Sequence, residues 1–173
     1  MKSAERAFSS AYLERLRQLF DHVVDIPVQY RRGHLPKYRL IHGTQSVDGL
    51  ILMADTMSRV WRAFVNRDRG GQGALFEEID YPDMVILEGY CLEDDILDMS
   101  IAGCDLKDLI ARLIGRYGIT FPEAELKKRV KAMGARGDLT ISRDPPLTPK
   151  TRQPSTSMDY NRYRIRIERT PYG

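Results

Sequence analysis

The most regular pattern in this sequence is a run of apolar residues at helical spacing that begins at Leu106. The run matches the i, i+3, i+4, i+7, i+8, i+11 template of an amphipathic helix, and Gly118 follows it as a stop signal. Its members are Leu106, Leu109, Ile110, Leu113, Ile114 and Tyr117. Thr120 and Glu123 then have the S/T-x-x-E spacing of a capping box, which marks a new helix start. The sequence therefore predicts two short helices separated by a brief break.

The second helix of this pair leads into two predicted strands. Its inner face and its end are marked by Leu126, Val130, Met133, Gly134 and Gly137. Apolar and polar residues alternate at 139–142 and again at 162–168, as they do in half-buried strands. A loop rich in proline, serine and threonine joins them over residues 144–161. Helix, helix, strand, long basic loop and strand is the layout of a winged helix-turn-helix.

The first part of the chain has its own periodic segments. Apolar residues at helical spacing predict amphipathic helices over 4–20 and 46–64, and Ser46 is placed to cap the second of them. Between these helices, alternation at 24–30 and 38–42 predicts an antiparallel hairpin. A hairpin flanked by two amphipathic helices can bury their apolar faces in one α+β layer.

The predicted fold class is therefore α+β, with a helix/β-hairpin/helix layer followed by a winged-helix-like C-terminal module. We expect the layer to occupy residues 1–70 and the basic winged-helix-like module to occupy residues 106–173. An acidic connecting region over residues 71–105 separates the two.

Basic and acidic residues are distributed unevenly over three consecutive segments of the chain. Residues 1–70 contain 12 lysines and arginines against 7 acidic residues, and residues 71–106 contain 10 acidic residues and no lysine or arginine. Residues 107–173 contain 15 basic residues against 7 acidic ones. A clustered basic surface attracts a phosphate backbone without sequence-specific contacts, so the tail is the part most suited to bind a polyanion.

The basic residues of the tail are the candidate binding residues. On the second tail helix Lys128 and Lys131 point away from the inner face, and on the last strand every second residue projects to one face. The candidate nucleic-acid-binding residues are Lys127, Lys128, Lys131, Lys150, Arg152, Arg162, Arg164 and Arg166. Two other interpretations stay open, namely a solvated basic face and a surface that docks on acidic protein. Three arginines on one face repel one another unless phosphate or the acidic region lies against them.

Part of the helix charge can also stabilise the helix itself. Glu123 and Glu125 stand four residues before Lys127 and Arg129, which is the favourable order for i,i+4 ion pairs. Such pairs make Lys127 and Arg129 weaker candidates for contact with a ligand than Lys128 and Lys131.

The sequence predicts no enzyme, no metal site and no cofactor. It contains no HExxH, no G-x-S-x-G and no cysteine–histidine cluster, so His22, His34 and His42 have no catalytic pattern around them. Cys91 and Cys104 stand apart from any ligand motif and are predicted to be buried, reduced thiols. The glycines at 70–73 follow a helix and precede acidic residues, which is typical of a linker rather than a phosphate loop.

A family resemblance is carried by short motifs between residues 38 and 61. The segment YRLIHGT at 38–44, the Gly49-Leu50 pair and the stretch from Met53 to Trp61 follow one another in that order. They resemble the Y-x-L-I-F-x-T, G-L and M-W motifs of the three-Cys-motif partner protein family, with His42 in place of the family's aromatic residue. The basic tail resembles the winged-helix-like end of those proteins.

The resemblance implies a Rossmann-type methyltransferase domain joined to a helical and winged-helix part, encoded beside a radical-SAM-like protein. No G-x-G follows a predicted strand in this chain, so the resemblance transfers no S-adenosylmethionine site and no catalytic residue. What it implies here is the C-terminal part of such a protein, without the cofactor half.

These observations together favour a nucleic-acid-binding protein, with duplex DNA as the expected partner and mainly phosphate contacts. The resemblance places it as a subunit of a larger prokaryotic assembly of mobile-element or defence type. Protein partners are expected at the acidic residues 77–105 or at the hairpin 23–44. The alternatives are a non-catalytic subunit or remnant of a methyltransferase-like enzyme and a protein–protein adaptor. With no apolar segment of membrane-spanning length and no signal-peptide pattern, we expect no membrane partner and a cytoplasmic location.

Overall fold

The computed structural model of the chain describes residues 2–28, 38–68 and 91–171. The helices and strands in chain order are α1 (Lys2–Arg17), β1 (His22–Val28), β2 (Tyr38–Thr44), α2 (Val47–Asp68), α3 (Leu92–Met99), β3 (Cys104–Asp105), α4 (Leu106–Tyr117), α5 (Glu123–Arg136), β4 (Leu139–Asp144) and β5 (Arg164–Arg169). Helices combine with small antiparallel sheets, which confirms the predicted α+β class. The hairpin turn at 29–37 and residues 69–90 of the glycine-rich and acidic segments lie outside the described residues.

The chain divides into two compact units. The first comprises Met1–Ile86 with Ile114–Pro122, and the second comprises Leu87–Leu113 with Glu123–Gly173. The predicted binding residues of the tail all belong to the second unit.

In the first unit, the hairpin packs against both helices that flank it. β1 and β2 pair antiparallel, as the alternating pattern predicted, and the register places Val24 opposite His42 and Ile26 opposite Leu40. α1 packs on β1, and α2 packs on both strands. Ser46 caps α2, because its Oγ accepts a hydrogen bond from the N–H of Gly49 at 3.4 Å. The predicted hairpin and the predicted cap are both confirmed.

The buried face of α2 is narrower than the sequence indicates. Leu50, Ile51, Ala54 and Trp61 are buried, whereas Val60, which we expected to face inward, is 56% exposed. At 100° per residue Val60 lies well outside the stripe formed by the buried residues, so it faces solvent. The prediction of a wide apolar face on α2 was therefore wrong at Val60.

In the second unit, three strands form an antiparallel sheet with α5 against it. The strand order is β3-β5-β4, with Cys104 opposite Ile167 on one side and Ile141 opposite Ile167 on the other. α5 packs on β4, and α3 packs against α5. Gly134 allows the close approach of α5 to β4, because an added Cβ would lie 2.5 Å from Cδ1 of Ile141. We predicted Gly134 as part of the helix end, and the structure places it inside the helix.

The two tail helices have the predicted inner faces. All six apolar residues of the run that begins at Leu106 are at most 4% exposed, and Leu126, Val130 and Met133 of α5 are buried as well. α5 ends in a Schellman motif, in which the Asp138 N–H donates to the carbonyl of Met133 and Gly137 has a φ of 88°.

Of the two residues of the predicted capping box, Thr120 lies between α4 and α5, and Glu123 lies at the start of α5. The N–H of Thr120 donates to the carbonyl of Tyr117 at 3.2 Å, so it turns back towards the end of α4. Glu123 is the first residue of α5, and its carboxylate accepts hydrogen bonds from Lys127 and Tyr160.

Helix α3 and strand β3 were not predicted. Leu92, Ile96 and Met99 have the i, i+4, i+7 spacing of a helix face, and Ile96 is fully buried. The surrounding acidic residues led us to interpret this segment as a connecting region. The two residues of β3 carry no periodic signal, and only their pairing with β5 makes them a strand.

Candidate nucleic-acid interface

The side of α5 that faces away from its buried residues carries two lysines. Ala124, Lys128, Lys131 and Ala135 follow one another at i, i+4, i+7 and i+11, and all four are exposed. We call these four residues the outer line of α5. In the part of the chain that the structure describes, neither Lys128 nor Lys131 has an acidic partner, so both ammonium groups are available to a ligand.

Lys127 is held by its own chain instead. Its Nζ lies 2.5 Å from Oε1 of Glu123 and 4.0 Å from the ring centroid of Tyr160, and its side chain is only 22% exposed. The hydroxyl of Tyr160 donates a hydrogen bond to the same Glu123 oxygen at 2.7 Å. The predicted i,i+4 pair is thereby confirmed, and Lys127 is placed in an intramolecular cluster rather than on the outer line.

Two arginines of α5 are tied to α3 through one carboxylate. Arg136 Nη2 donates to Glu93 Oε2 at 2.7 Å, and Arg129 Nη1 donates to Glu93 Oε1 at 3.4 Å. The hydrogen bond from Arg136 lowers the pKa of Glu93 below its usual value. Arg136 also donates to Asp138 at 2.9 Å, and its bond to Glu93 contributes most to the rise of its own pKa. Arg129, which we expected to pair with Glu125, thus has a partner in another helix.

Of the three arginines that were assigned to the last strand, two lie in β5 and one lies in the turn before it. Arg164 and Arg166 are exposed on the face of β5 opposite to the buried Ile165 and Ile167, as the strand period predicted. Arg162, which was assigned to the same strand, lies before β5, with its Nε 3.5 Å from Oδ2 of Asp159.

One acidic residue, Asp105, reduces the expected repulsion on this face. Asp105 of β3 is opposite Arg166, and its Oδ2 lies 3.3 Å from Nε of Arg164. Arg164 is 74% exposed, so this single contact is a weak, solvent-screened ion pair. The guanidinium of Arg166 covers the backbone of Gly103, where an added Cβ would lie 2.7 Å from Nη2.

The loop between β4 and β5, residues 145–163, displays the two remaining candidates. Leu147 and Pro154 form an isolated antiparallel bridge, and the N–H of Thr148 donates to the carbonyl of Gln153 at 2.9 Å. These contacts make a small closed turn whose tip carries Lys150 and Arg152. Both side chains are exposed, and among the described residues neither has an acidic partner.

Carboxylates of the acidic segment therefore form ion pairs with arginines of the basic tail within the second unit. Glu93, Asp98 and Asp105 pair with arginines that lie 36 or more positions later in the chain. The exposed basic side chains without an acidic partner among residues 91–171 include Lys128, Lys131, Lys150, Arg152 and Arg166. Of these five residues, two lie on the outer line of α5, two at the loop tip and one on β5.

Arg143 is a structural cation that sequence analysis did not single out. Its Nε donates to the carbonyl of Ser157 at 2.8 Å, and its Nη2 contacts the sulfur of Met158. Burial lowers the pKa of its guanidinium. The predicted strand 139–142 ends one residue before Arg143, and only a continuation of its alternation would have placed Arg143 on the side of Leu139 and Ile141.

The remaining features are the two cysteines, metal sites and membrane-spanning helices. Cys91 and Cys104 are both free, but neither is fully buried as predicted. Cys104 is half-buried, and Cys91 is exposed because it precedes α3 instead of lying on its inner face. Among the described residues, no group of three or more histidines, cysteines, aspartates or glutamates could hold a metal ion. No described helix has the length and apolar character needed to cross a membrane.

Comparison with protein-family models, with curated proteins and with solved structures finds no match to this chain. The resemblance to the three-Cys-motif partner protein family therefore stays a prediction that depends on the motifs at residues 38–61.

Proposed function

We propose that residues 92–169 form a winged-helix module that binds duplex nucleic acid, with DNA as the expected partner, mainly through phosphates. The order of elements is helix, strand, helix, helix, strand, loop and strand, and the sheet order is β3-β5-β4. This order agrees with the winged-helix arrangement. The segment also contains α3 as a first helix, which was absent from the sequence-based layout.

The main observation behind this proposal is that some basic side chains of the tail form ion pairs within the chain and others do not. Several arginines of the tail have carboxylate partners inside the chain, whereas Lys128 and Lys131, on the outer line of α5, have no acidic partner among the described residues. Lys150 and Arg152, at the tip of the β4–β5 loop, likewise have no acidic partner in the part of the chain that the structure describes. Unpaired cations gathered on a helix and an adjacent loop are suited to contact successive phosphates of a backbone.

The surface chemistry favours a duplex over a single strand. Proteins that bind single strands stack bases on exposed aromatic rings. In the described part of the second unit, Tyr163 is 8% exposed, and the ring of Tyr160 is covered by Lys127. The outer line of α5 offers only lysine and alanine, which suit phosphate contact and close approach better than recognition of base edges.

A salt titration tests this proposal directly. The full-length protein is titrated against a labelled DNA duplex of about 20 to 30 base pairs, and anisotropy is followed between about 50 and 200 mM salt. With five phosphate contacts, log K should fall against log salt with a slope of roughly −4 to −5. Undetectable binding, or binding that does not change with salt, would contradict the proposal. Binding to an acidic polypeptide in place of DNA would favour the adaptor alternative.

The wider setting is a proposal that rests on the family resemblance alone. We propose that the protein is a cytoplasmic subunit of a prokaryotic mobile-element or defence-type assembly. Co-purification of the native protein distinguishes this setting from a methyltransferase-like complex, because bound nucleic acid and a bound enzyme partner are identified separately.

A further inference from the structure

The β4–β5 loop is connected to α5 by a compact polar cluster. The hydroxyl of Tyr160, near the end of the loop, donates to Glu123, the first residue of α5. Lys127, one turn later, lies above the Tyr160 ring and contacts the same carboxylate. An ammonium over an aromatic ring and a hydrogen bond to a charged acceptor both stabilise this arrangement. Three side chains therefore fix the loop to the start of the helix.

A series of local hydrogen bonds links this anchor to the loop tip. The Ser157 N–H donates to Ser155 Oγ, the Asp159 N–H donates to Ser157 Oγ, and the Asn161 N–H donates to Asp159 Oδ1. Each bond spans two residues, as in Asx and Ser/Thr turns. Closer to the tip, the N–H of Ser155 donates to the carbonyl of Pro146 at 2.9 Å. The loop is thus held at short intervals from Tyr160 to the closed turn that carries Lys150 and Arg152.

We infer that Tyr160 is a positioning residue, which holds the loop tip so that its cations and those on the outer line of α5 bind the same nucleic acid. This inference rests on the proposed function. Two weak contact sites on one rigid surface bind more tightly than the same sites joined flexibly, because the ordering cost is met before binding. Tyr160 itself needs no contact with the nucleic acid to have this effect.

The test is a double-mutant cycle on the full-length protein with a labelled DNA duplex. Tyr160→Phe keeps the ring beneath Lys127 and removes the hydroxyl that donates to Glu123, and we expect it to raise Kd about two- to tenfold. The second arm replaces both tip cations, as Lys150→Ala with Arg152→Ala. In that background Tyr160→Phe should have almost no further effect, because the loop has lost the charges that it positions.

Additive effects of the two changes would overturn the inference, as would an unchanged Kd for Tyr160→Phe. Thermal melts of each variant separate positioning from folding, since a lower Tm with an unchanged Kd shows a purely structural role. Tyr12→Phe is the matched control, because it removes a hydroxyl from an exposed tyrosine of α1 outside this cluster and should not weaken binding. Failure of the unmodified protein to bind any duplex would refute the proposed function itself, which is a different outcome from additivity.

Discussion

Replacing Lys128 and Lys131 together by alanine should weaken nucleic-acid binding and leave the fold intact. Both side chains are exposed on the outer line of α5 and have no acidic partner among the described residues. Alanine already occupies the flanking positions, Ala124 and Ala135, and it favours a helix. The free energy of unfolding should therefore change by no more than about 0.5 kcal/mol.

The size of the binding defect follows from counterion release. Each lost phosphate contact reduces the slope of log K against log salt by about 0.9, so the double variant should lose about 1.8. If the two proteins bind equally at 1 M salt, this change of slope makes the affinity of the variant roughly 60-fold weaker at about 0.1 M salt. That loss corresponds to about 2.5 kcal/mol of binding free energy. The difference between the two proteins should shrink steadily as salt increases.

Fluorescence anisotropy with a labelled duplex at several salt concentrations measures both the affinity and the slope. Arg129→Ala is the matched control on the same helix, since Arg129 is engaged by Glu93 and should contribute less to the slope. If the double lysine variant folds and binds with an unchanged slope, α5 presents only a solvated face. If it unfolds, the two lysines are structural, and the account of their exposure is wrong.

Three further changes test other parts of the structure. Leu126→Ala removes a fully packed side chain and should lower the free energy of unfolding by about 2 to 5 kcal/mol in chemical denaturation; a smaller loss would show that α5 is not anchored by this residue. Glu93 has a lowered pKa, chiefly through Arg136, so its stabilising contribution is complete above its usual value of 4.5 and is lost as pH falls through the lower folded-state value. Tm measured from neutral to acid pH should therefore fall less steeply for Glu93→Gln, and parallel curves would contradict this role. Asp105→Asn frees Arg164 and should tighten duplex binding with a steeper salt slope if that arginine reaches a phosphate; an unchanged slope would exclude it from the interface.

Local sequence patterns were sufficient to predict which residues are buried where burial depends on a single helix or strand. The inner faces of α4 and α5 are confirmed, because apolar side chains at a period of 3.6 must lie on one side of a helix wherever it packs. The antiparallel pairing of the two hairpin strands is confirmed for a similar reason, since alternation places the buried Val24 and Ile26 on one face. Helix α3 was missed although Leu92 and Ile96 had the right spacing, because its acidic residues gave the segment the composition of a connecting region.

The candidate site was only partly predictable. The sequence by itself determined which residues carry positive charge, which helix presents Lys128 and Lys131 outward, and that a long loop joins the last two strands. Only the tertiary structure decided which of these charges are available. Glu93 and Arg136 stand 43 positions apart and Asp105 and Arg164 stand 59 apart, so no local pattern pairs them. The same holds for Tyr160 and Glu123, because an ion pair or hydrogen bond forms when folding brings two groups within about 3 to 4 Å, and that distance depends on the whole packing of the unit.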